Sequence, residues 1–139
     1  MAFDVAHNLE PEWLEHRDGL SEAMGEYIER GRAVTAEEAE AGAALGQRCH
    51  AALPEVIGRY DALLVPGVLG EAPLRSEGHT GDPLLCRAWT LLGAPAISVP
   101  GLVGPAGMPI GVQLVGLSGG EERLLGAAAW VETALSGTS

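Results

Sequence analysis

The loop at residues 76–82 holds the side chains that come nearest to a set of catalytic groups. Ser76, His79 and Asp82 lie close together in the sequence. In a hydrolase triad a histidine takes the proton of a serine hydroxyl, and an aspartate orients the histidine. Such groups must converge in space in these roles, and nearness in the sequence does not produce this. We therefore interpret His79 as a solvated loop residue.

The histidines and cysteines of the sequence do not predict a metal site. These residues are His7, His16, His50, His79, Cys49 and Cys86. They do not have the spacing of a zinc-binding motif, and no Gly-x-Gly-x-x-Gly or Walker-type phosphate loop occurs. We therefore predict no metal and no organic cofactor, and we interpret both cysteines as reduced thiols.

The composition restricts the class of partner. The sequence has 139 residues and a net charge of −11, and all of its basic residues are arginines. An acidic surface repels phosphate backbones, so we expect no nucleic-acid partner. No apolar run approaches the roughly 20 residues of a membrane span, and the N-terminus does not resemble a signal peptide. We therefore expect a cytoplasmic protein, one domain in size, with no membrane partner.

Residues 1–60 have helical patterning. Residues 1–9 carry no strong pattern, and we expect them to be frayed. A short helix is predicted from Pro11. Another helix is predicted to begin after an N-cap at Ser21 and to end at Gly31.

A longer helix is predicted to follow from a capping box. Thr35 and Glu38 have the spacing at which each side chain accepts the backbone N–H of the other residue. The helix then runs on toward Tyr60. Pro54 should kink or divide it, because proline lacks a backbone N–H and its ring clashes with the preceding turn.

Residues 61–139 predict strands that alternate with loops and helices. Short apolar runs bounded by proline or glycine predict strands at 61–66, 95–100 and 110–116, with loops at 67–79 and 101–109. These strands are apolar on both faces, as in a sheet that helices cover on each side. Three strands alone would leave apolar edges unpaired, which indicates a piece of a larger sheet. We therefore expect the chain alone to self-associate or to be loosely packed.

Two further helices are predicted in this second half. Pro83 is expected to be the first residue of one helix, with Asp82 or Thr80 as its N-cap and Gly93 as its stop. The last helix is predicted over residues 118–135, and the sequence Ser-Gly-Gly-Glu at its start has the spacing of a capping box.

Several stretches together resemble the C-terminal part of the amidase signature family. They are YDALLVP, TGDPLLCRAWTLLGAPAISVPG, and MPIGVQLVG followed by EERLLGAAAWVE. The upstream stretch LSEAMGEYIERGRAVTAEEAEAG is similar to helices of that family. The resemblance covers about residues 17–134, and residues 80–116 are its specific part.

The resemblance implies an α/β fold, the C-terminal part of the amidase-signature fold, with a mixed sheet flanked by helices. On this interpretation residues 1–139 are a C-terminal fragment of a single amidase domain. Its first part, residues 1–60, is helical, and residues 61–139 combine strands and helices.

Enzymes of this family hydrolyse amides, or transfer ammonia from them, without a metal or an organic cofactor. The resemblance implies a serine nucleophile, a second serine, a lysine that accepts the proton, and a loop whose N–H groups bind the oxyanion. The serine-rich stretch of the family, Gly-Gly-Ser-Ser-Gly-Gly-Ser, is absent from this sequence, which also contains no lysine. We therefore predict no catalytic residue on this chain and no activity by the chain alone.

The resemblance also implies a place for the substrate. In the family, the loop before the predicted helix that begins at Pro83 can approach the substrate side. Thr80, Asp82 and Trp89 are therefore candidate pocket residues for a small-molecule amide in an intact enzyme. The alternative is that these residues only cap and pack the helix.

Three functional hypotheses follow from the resemblance. The chain is part of an amidase whose catalytic residues lie elsewhere, such as a truncated product. Alternatively, it is a non-catalytic subunit of a split amidase, completed by a partner chain that carries the serines and the lysine. The third hypothesis is a relative of the A subunit of the tRNA-dependent amidotransferases.

Overall fold

The structure, a computed structural model, describes residues 1–137. The helices are α1 (Ala2–Asn8), α2 (Glu10–Glu15), α3 (Glu22–Arg32), α4 (Ala36–Ile57), α5 (Leu84–Leu92) and α6 (Glu121–Ser136). The strands are β1 (Leu63–Pro66), β2 (Ala96–Val103) and β3 (Pro109–Val115). The chain divides into two units, one over Met1–Gln47 and one from Arg48 onward, and the division falls within α4.

In the first unit α1 packs against α3, so the expectation that residues 1–9 are frayed is wrong. Gly31 does not end α3 either, because it lies inside the helix, which continues to Arg32. A side chain at Gly31 would strike the backbone carbonyl of Ala2 and approach Ala6 Cβ to 2.7 Å. The glycine is therefore needed for the close approach of α1, and not for a left-handed turn.

The predicted starts of α3 and α4 are confirmed, and α2 begins at Glu10, one residue before the predicted Pro11. The Ser21 hydroxyl accepts the N–H of Met24 at 3.3 Å, as an N-cap does. The Thr35 N–H donates to Glu38 Oε2 at 2.9 Å, and the Glu38 N–H donates to Thr35 Oγ1 at 3.2 Å. This reciprocal pair satisfies two donors at the start of α4 that helical hydrogen bonds leave unpaired.

Pro54 does not divide α4, contrary to one of the two expected outcomes. The helix runs through Pro54 and ends at Ile57. Leu53 and Ile57 are one turn apart and are both buried. Their burial holds the last turn in place despite the hydrogen bond that the proline cannot donate.

The three strands form one sheet in the order β1-β3-β2, and both pairings are antiparallel. The predicted strands are confirmed at these places. However, β2 extends to Val103, into the predicted loop, with a register shift between Val99 and Leu102. Gly101 within this shift has a φ of 145°. A glycine-containing bulge therefore lets the strand continue where the sequence composition predicts a loop.

The core of the second unit lies between the sheet and α6. Val99 and Leu114 from the sheet pack with Leu124 and Ala128 from α6, and all four are buried. Gly101 allows the close approach of α6, because a side chain there would come within 2.6 Å of Leu135 Cβ.

The predicted ends of the other helices are partly confirmed. Gly93 ends α5 in the left-handed conformation, with a φ of 61°, as expected of a glycine stop. Pro83 lies just before α5 and is not its first residue. The predicted capping box at the start of α6 is wrong, because Gly120 is the N-cap and Glu121 Oε1 accepts the N–H of Gly119 at 3.1 Å. Within residues 1–137 no helix has the length and apolar character needed to cross a membrane.

Candidate functional site

The loop at residues 76–82 does not assemble a triad. His79 Nδ1 accepts the N–H of Gly81 at 3.1 Å, and His79 Nε2 lies 3.3 Å from Glu77 Oε2. Among the described residues, neither Ser76 nor Asp82 hydrogen-bonds the imidazole. The His79 side chain is 57% exposed, which confirms a solvated loop histidine.

Asp82 lies one residue before Pro83, the N-cap of α5, and its side chain contacts the first turn of the helix. Its Oδ1 accepts the N–H of Leu84 at 2.9 Å and lies 3.6 Å from Arg87 Nη2. Thr80 is exposed in the same loop, and Trp89 lies further along α5 with a partly buried side chain. No hydrogen bond or ion pair joins Thr80, Asp82 and Trp89 in the described part of the chain, and their role in a pocket stays a prediction.

A polar group lies on the sheet face opposite α6. Gln113 Nε2 approaches Cys86 Sγ to 3.9 Å, and that thiol donates to the carbonyl oxygen of Gly67 at 3.7 Å. Gln113 Oε1 is buried and has no hydrogen-bond partner among the described residues. Ser98 stands opposite Gln113 in the register and is exposed.

A small cavity of about 160 Å³ lies in the second unit. Its lining residues are His50, Leu53, Pro54, Ala94, Gly116, Leu117 and Ser118. His50 Nδ1 lies 2.7 Å from the carbonyl oxygen of Leu92, so this nitrogen carries the proton. Nε2 is then the basic nitrogen of the neutral ring. Thr80, Asp82 and Trp89 do not line this cavity.

The turn between β3 and α6 is a feature that the sequence analysis did not single out. Residues 116–120 read Gly-Leu-Ser-Gly-Gly, which matches the Gly-x-Ser-x-Gly pattern of a hydrolase nucleophile turn. In such enzymes the serine occupies a strained backbone conformation. Within the described residues, however, every residue with a positive φ is a glycine, and Ser118 makes no hydrogen bond to His50. The turn therefore brings a hydroxyl and an imidazole to one cavity without forming a nucleophile–base pair.

Metal-binding side chains do not cluster in residues 1–137: no group of three or more histidine, cysteine or acidic residues could hold a metal ion there. An electrostatic effect on a titrating group is found at the start of α4. Hydrogen bonds from the backbone N–H and hydroxyl of Thr35 lower the pKa of Glu38 below its ordinary value. This group supports the fold, and it is not part of the cavity.

The sequence and the fold agree with one protein family. The sequence model of the Amidase family matches residues 2–125, which is most of the chain. The chain therefore belongs to this family, as the resemblance predicts, and the match extends the similarity upstream to residue 2, beyond the residues 17–134 that carry the resemblance.

Curated relatives share about half of this chain. The A subunit of the mitochondrial glutamyl-tRNA(Gln) amidotransferase of Mus musculus is 35% identical over 80 residues, which are 52% of this chain and 15% of the relative. The A subunit of the glutamyl-tRNA(Gln) amidotransferase of Prochlorococcus marinus (strain MIT 9211) is 40% identical over 83 residues, 55% of this chain and 17% of the relative.

Solved structures match nearly the whole chain. A crystal structure of an amidase superposes with a TM-score of 0.78 at 25% identity, over 96% of this chain and 33% of that one. A bacterial aryl acylamidase of the amidase signature family superposes with a TM-score of 0.62 at 22% identity, over 97% of this chain and 32% of that one. The chain thus has an amidase-signature fold and spans about a third of the length of these structures.

Proposed function

We propose that this chain supplies the C-terminal part of an amide-cleaving domain, and that the reacting groups lie on the remainder of that domain. The superposition of 96% of this chain on one third of an amidase carries this proposal. The composition agrees with it, because the family resemblance implies a lysine base and the chain contains no lysine. The chain alone is then inactive.

In the complete domain the chemistry follows from the family resemblance. A serine hydroxyl attacks the amide carbon, and a neutral lysine takes the serine proton through the second serine. Backbone N–H groups stabilise the oxyanion as it develops. This chain contributes part of the sheet that supports those groups, and Thr80, Asp82 and Trp89 line one wall of the pocket for a small-molecule amide.

A second candidate is favoured by the curated relatives. Those of Mus musculus and Prochlorococcus marinus are both the A subunit of a glutamyl-tRNA(Gln) amidotransferase, and each is at least 35% identical over about half of this chain. If this second function is correct, the complete domain releases ammonia from an amide for transfer to another substrate. It then works in a complex with other proteins. Either candidate allows the reacting groups to reside on a separate partner chain.

The first test is amide hydrolysis by the purified chain against a panel of simple aryl and aliphatic amides. We expect no hydrolysis above a buffer blank, and hydrolysis that co-purifies with the chain would refute the proposal.

The second test is a chimera in which this chain replaces the matching third of the solved amidase. We expect the chimera to hydrolyse the host's amide substrate. The matched control is the same chimera with the host's serine nucleophile changed to alanine. A folded chimera without activity would count against the proposed function.

A further inference from the structure

The cavity beside His50 lies at the end of α5 that is distant from the predicted amide pocket. The His50 ring donates from Nδ1 to the carbonyl oxygen of Leu92 at 2.7 Å, and Ala94 follows the last turn of α5. Asp82, a candidate pocket residue, contacts the first turn of the same helix. The nine residues of α5 extend over about 13 Å, because an α-helix rises about 1.5 Å per residue. A molecule in the cavity would therefore lie outside the predicted amide pocket.

The cavity has an apolar interior and a polar opening. Leu53 and Gly116 are buried and Ala94 is half-buried, so these residues form its interior. His50 and Ser118 are exposed, so they lie where the cavity meets solvent. A ligand would therefore bury an apolar body inside and keep a polar group at the opening.

The polar groups at the opening suit a neutral ligand that donates a hydrogen bond. Among the described residues, none that lines the cavity is acidic or an arginine, so a charged ligand would find no ion-pair partner there. The carbonyl oxygen of Leu92 holds the proton of the neutral His50 ring on Nδ1, which leaves Nε2 as an acceptor. The Ser118 hydroxyl has no hydrogen-bond partner within residues 1–137 and can donate or accept. A ligand hydroxyl can therefore donate to His50 Nε2, with Ser118 as a second polar contact at the same opening.

The cavity has the size of a single aromatic ring. Its volume is about 160 Å³. An engineered protein cavity of about 150 Å³ with apolar walls binds benzene. The cavity beside His50 therefore suits a ligand of about six to eight non-hydrogen atoms, which is a ring with one small substituent.

We propose that this cavity is a binding site for a small neutral molecule with an apolar ring and one hydroxyl group, the class to which phenol belongs. The hydroxyl donates to His50 Nε2 beside Ser118, and the ring contacts Leu53 and Ala94. The inference does not depend on the proposed function, because this chain alone builds the site at the far end of α5 from Asp82.

Phenol is the probe for this site, and toluene is the comparison compound because it has the same ring without the hydroxyl. Each is titrated into the isolated chain while backbone amide NMR signals are recorded. With phenol we expect shifts at Ala94, Leu117 and Ser118, and a dissociation constant of about 1 mM for a ligand of this size. We expect toluene to bind no more tightly than phenol, because it makes no hydrogen bond to His50 Nε2. A cavity without these polar contacts would favour toluene instead, because phenol would lose its hydrogen bonds to water.

Two substitutions test the polar groups separately. His50→Leu removes the acceptor, and we expect the affinity for phenol to fall about tenfold while the affinity for toluene does not fall. Ser118→Ala removes the second polar contact from an exposed turn and should weaken phenol binding about threefold. Ser76→Ala changes an exposed-loop serine outside the cavity and is the matched control, with an expected change of less than about twofold. Circular dichroism shows whether each variant is folded.

The outcomes decide the inference without reference to amidase activity. Phenol shifts at the lining residues with a tenfold loss in His50→Leu support it, and the threefold loss in Ser118→Ala takes that place if His50→Leu does not fold. The inference is overturned if phenol causes no shifts at the lining residues, if toluene binds more tightly than phenol, or if neither substitution changes the affinity for phenol. An isolated chain without dispersed amide signals also overturns it, because the cavity requires α4, α5 and β3 to be packed as described.

Discussion

Glu71 holds the turn between β2 and β3 from a loop far away in the sequence. Its carboxylate accepts the N–H of Ala106 at 2.9 Å and the N–H of Met108 at 3.1 Å. Gly104 leaves room for this carboxylate, because a side chain there would overlap with Glu71. The turn of the hairpin is therefore built around an acid that is not part of the hairpin.

Glu71→Ala should loosen this turn. The substitution leaves two backbone donors without their charged acceptor, and we expect a loss of about 1–3 kcal/mol in the free energy of unfolding. Hydrogen exchange should rise at Ala106 and Met108 more than at Leu114 in the middle of β3. Glu71→Gln keeps one acceptor oxygen and should have a smaller effect. Equal exchange at Ala106 in the alanine variant and the wild type would contradict the role of Glu71.

Gly31→Ala should weaken the packing of α1 on α3. The new methyl group would overlap the Ala2 carbonyl, and overpacking of this kind costs about 1–3 kcal/mol. Gly25→Ala in the same helix is the matched control, because its nearest contact is a Trp13 ring carbon at 3.7 Å. The control should gain about 0.5–1 kcal/mol from helix propensity. Urea unfolding followed by circular dichroism measures both, and a stable Gly31→Ala variant would show that α1 is not docked as described.

Local signals in the sequence predict the positions of the strands and of α5 in the second unit well. Proline and glycine bound the apolar runs that become β1, β2 and β3, and Gly93 ends α5 as predicted. Errors arise where a distant contact decides the local structure. The contact with α1 keeps Gly31 inside α3, and packing against α6 accompanies the extension of β2 past its bulge at Gly101.

The candidate site is less predictable for the same reason. Asp82 accepts a backbone N–H at the start of α5 but lies one residue before the N-cap, Pro83, so the sequence predicts its contact with the helix start and misplaces the cap by one residue. The cavity beside His50 depends on α4, the turn after α5 and the turn after β3, which are far apart in the chain. A serine-containing pattern at residues 116–120 was readable in the sequence, but only the backbone conformation shows that Ser118 is not in a nucleophile turn.

The Glu38 carboxyl group in the capping box of α4 should titrate at a lower pH than an ordinary glutamate. The backbone N–H of Thr35, and then its hydroxyl, hydrogen-bond the Glu38 carboxylate and lower its pKa below the ordinary 4.5. A depressed pKa means that the folded state holds the proton less tightly than the unfolded state. The contribution to stability is therefore complete above pH 4.5 and is lost as the pH falls through the folded-state pKa.

An NMR titration of the Glu38 carboxyl carbon tests this prediction. We expect a midpoint below 4.5 in the wild type and a rise toward 4.5 in Thr35→Ala, which removes the hydroxyl donor. Thr35→Ser retains the hydroxyl and should keep the low midpoint. A midpoint that does not differ between Thr35→Ala and Thr35→Ser would mean that the hydroxyl does not act on Glu38.

Substitutions at Gln113 test whether a buried polar group on the sheet face opposite α6 lowers the stability of the fold. Its Oε1 is buried without a partner among the described residues, so Gln113→Met removes an unsatisfied acceptor. We expect the free energy of unfolding to stay the same or to rise by up to about 1 kcal/mol.

Gln113→Glu is the comparison variant for Gln113→Met. Glutamate has nearly the same shape as glutamine, but its carboxyl group can carry a charge. Burial disfavours the charged carboxylate and raises the pKa of the introduced group. The folded state then binds the proton more tightly than the unfolded state, so this variant should lose stability as the pH rises from about 4 to 7 and regain it on acidification. Urea midpoints at several pH values measure both variants. A Gln113→Met variant that is clearly less stable than the wild type would contradict the interpretation of Oε1 as an unsatisfied acceptor.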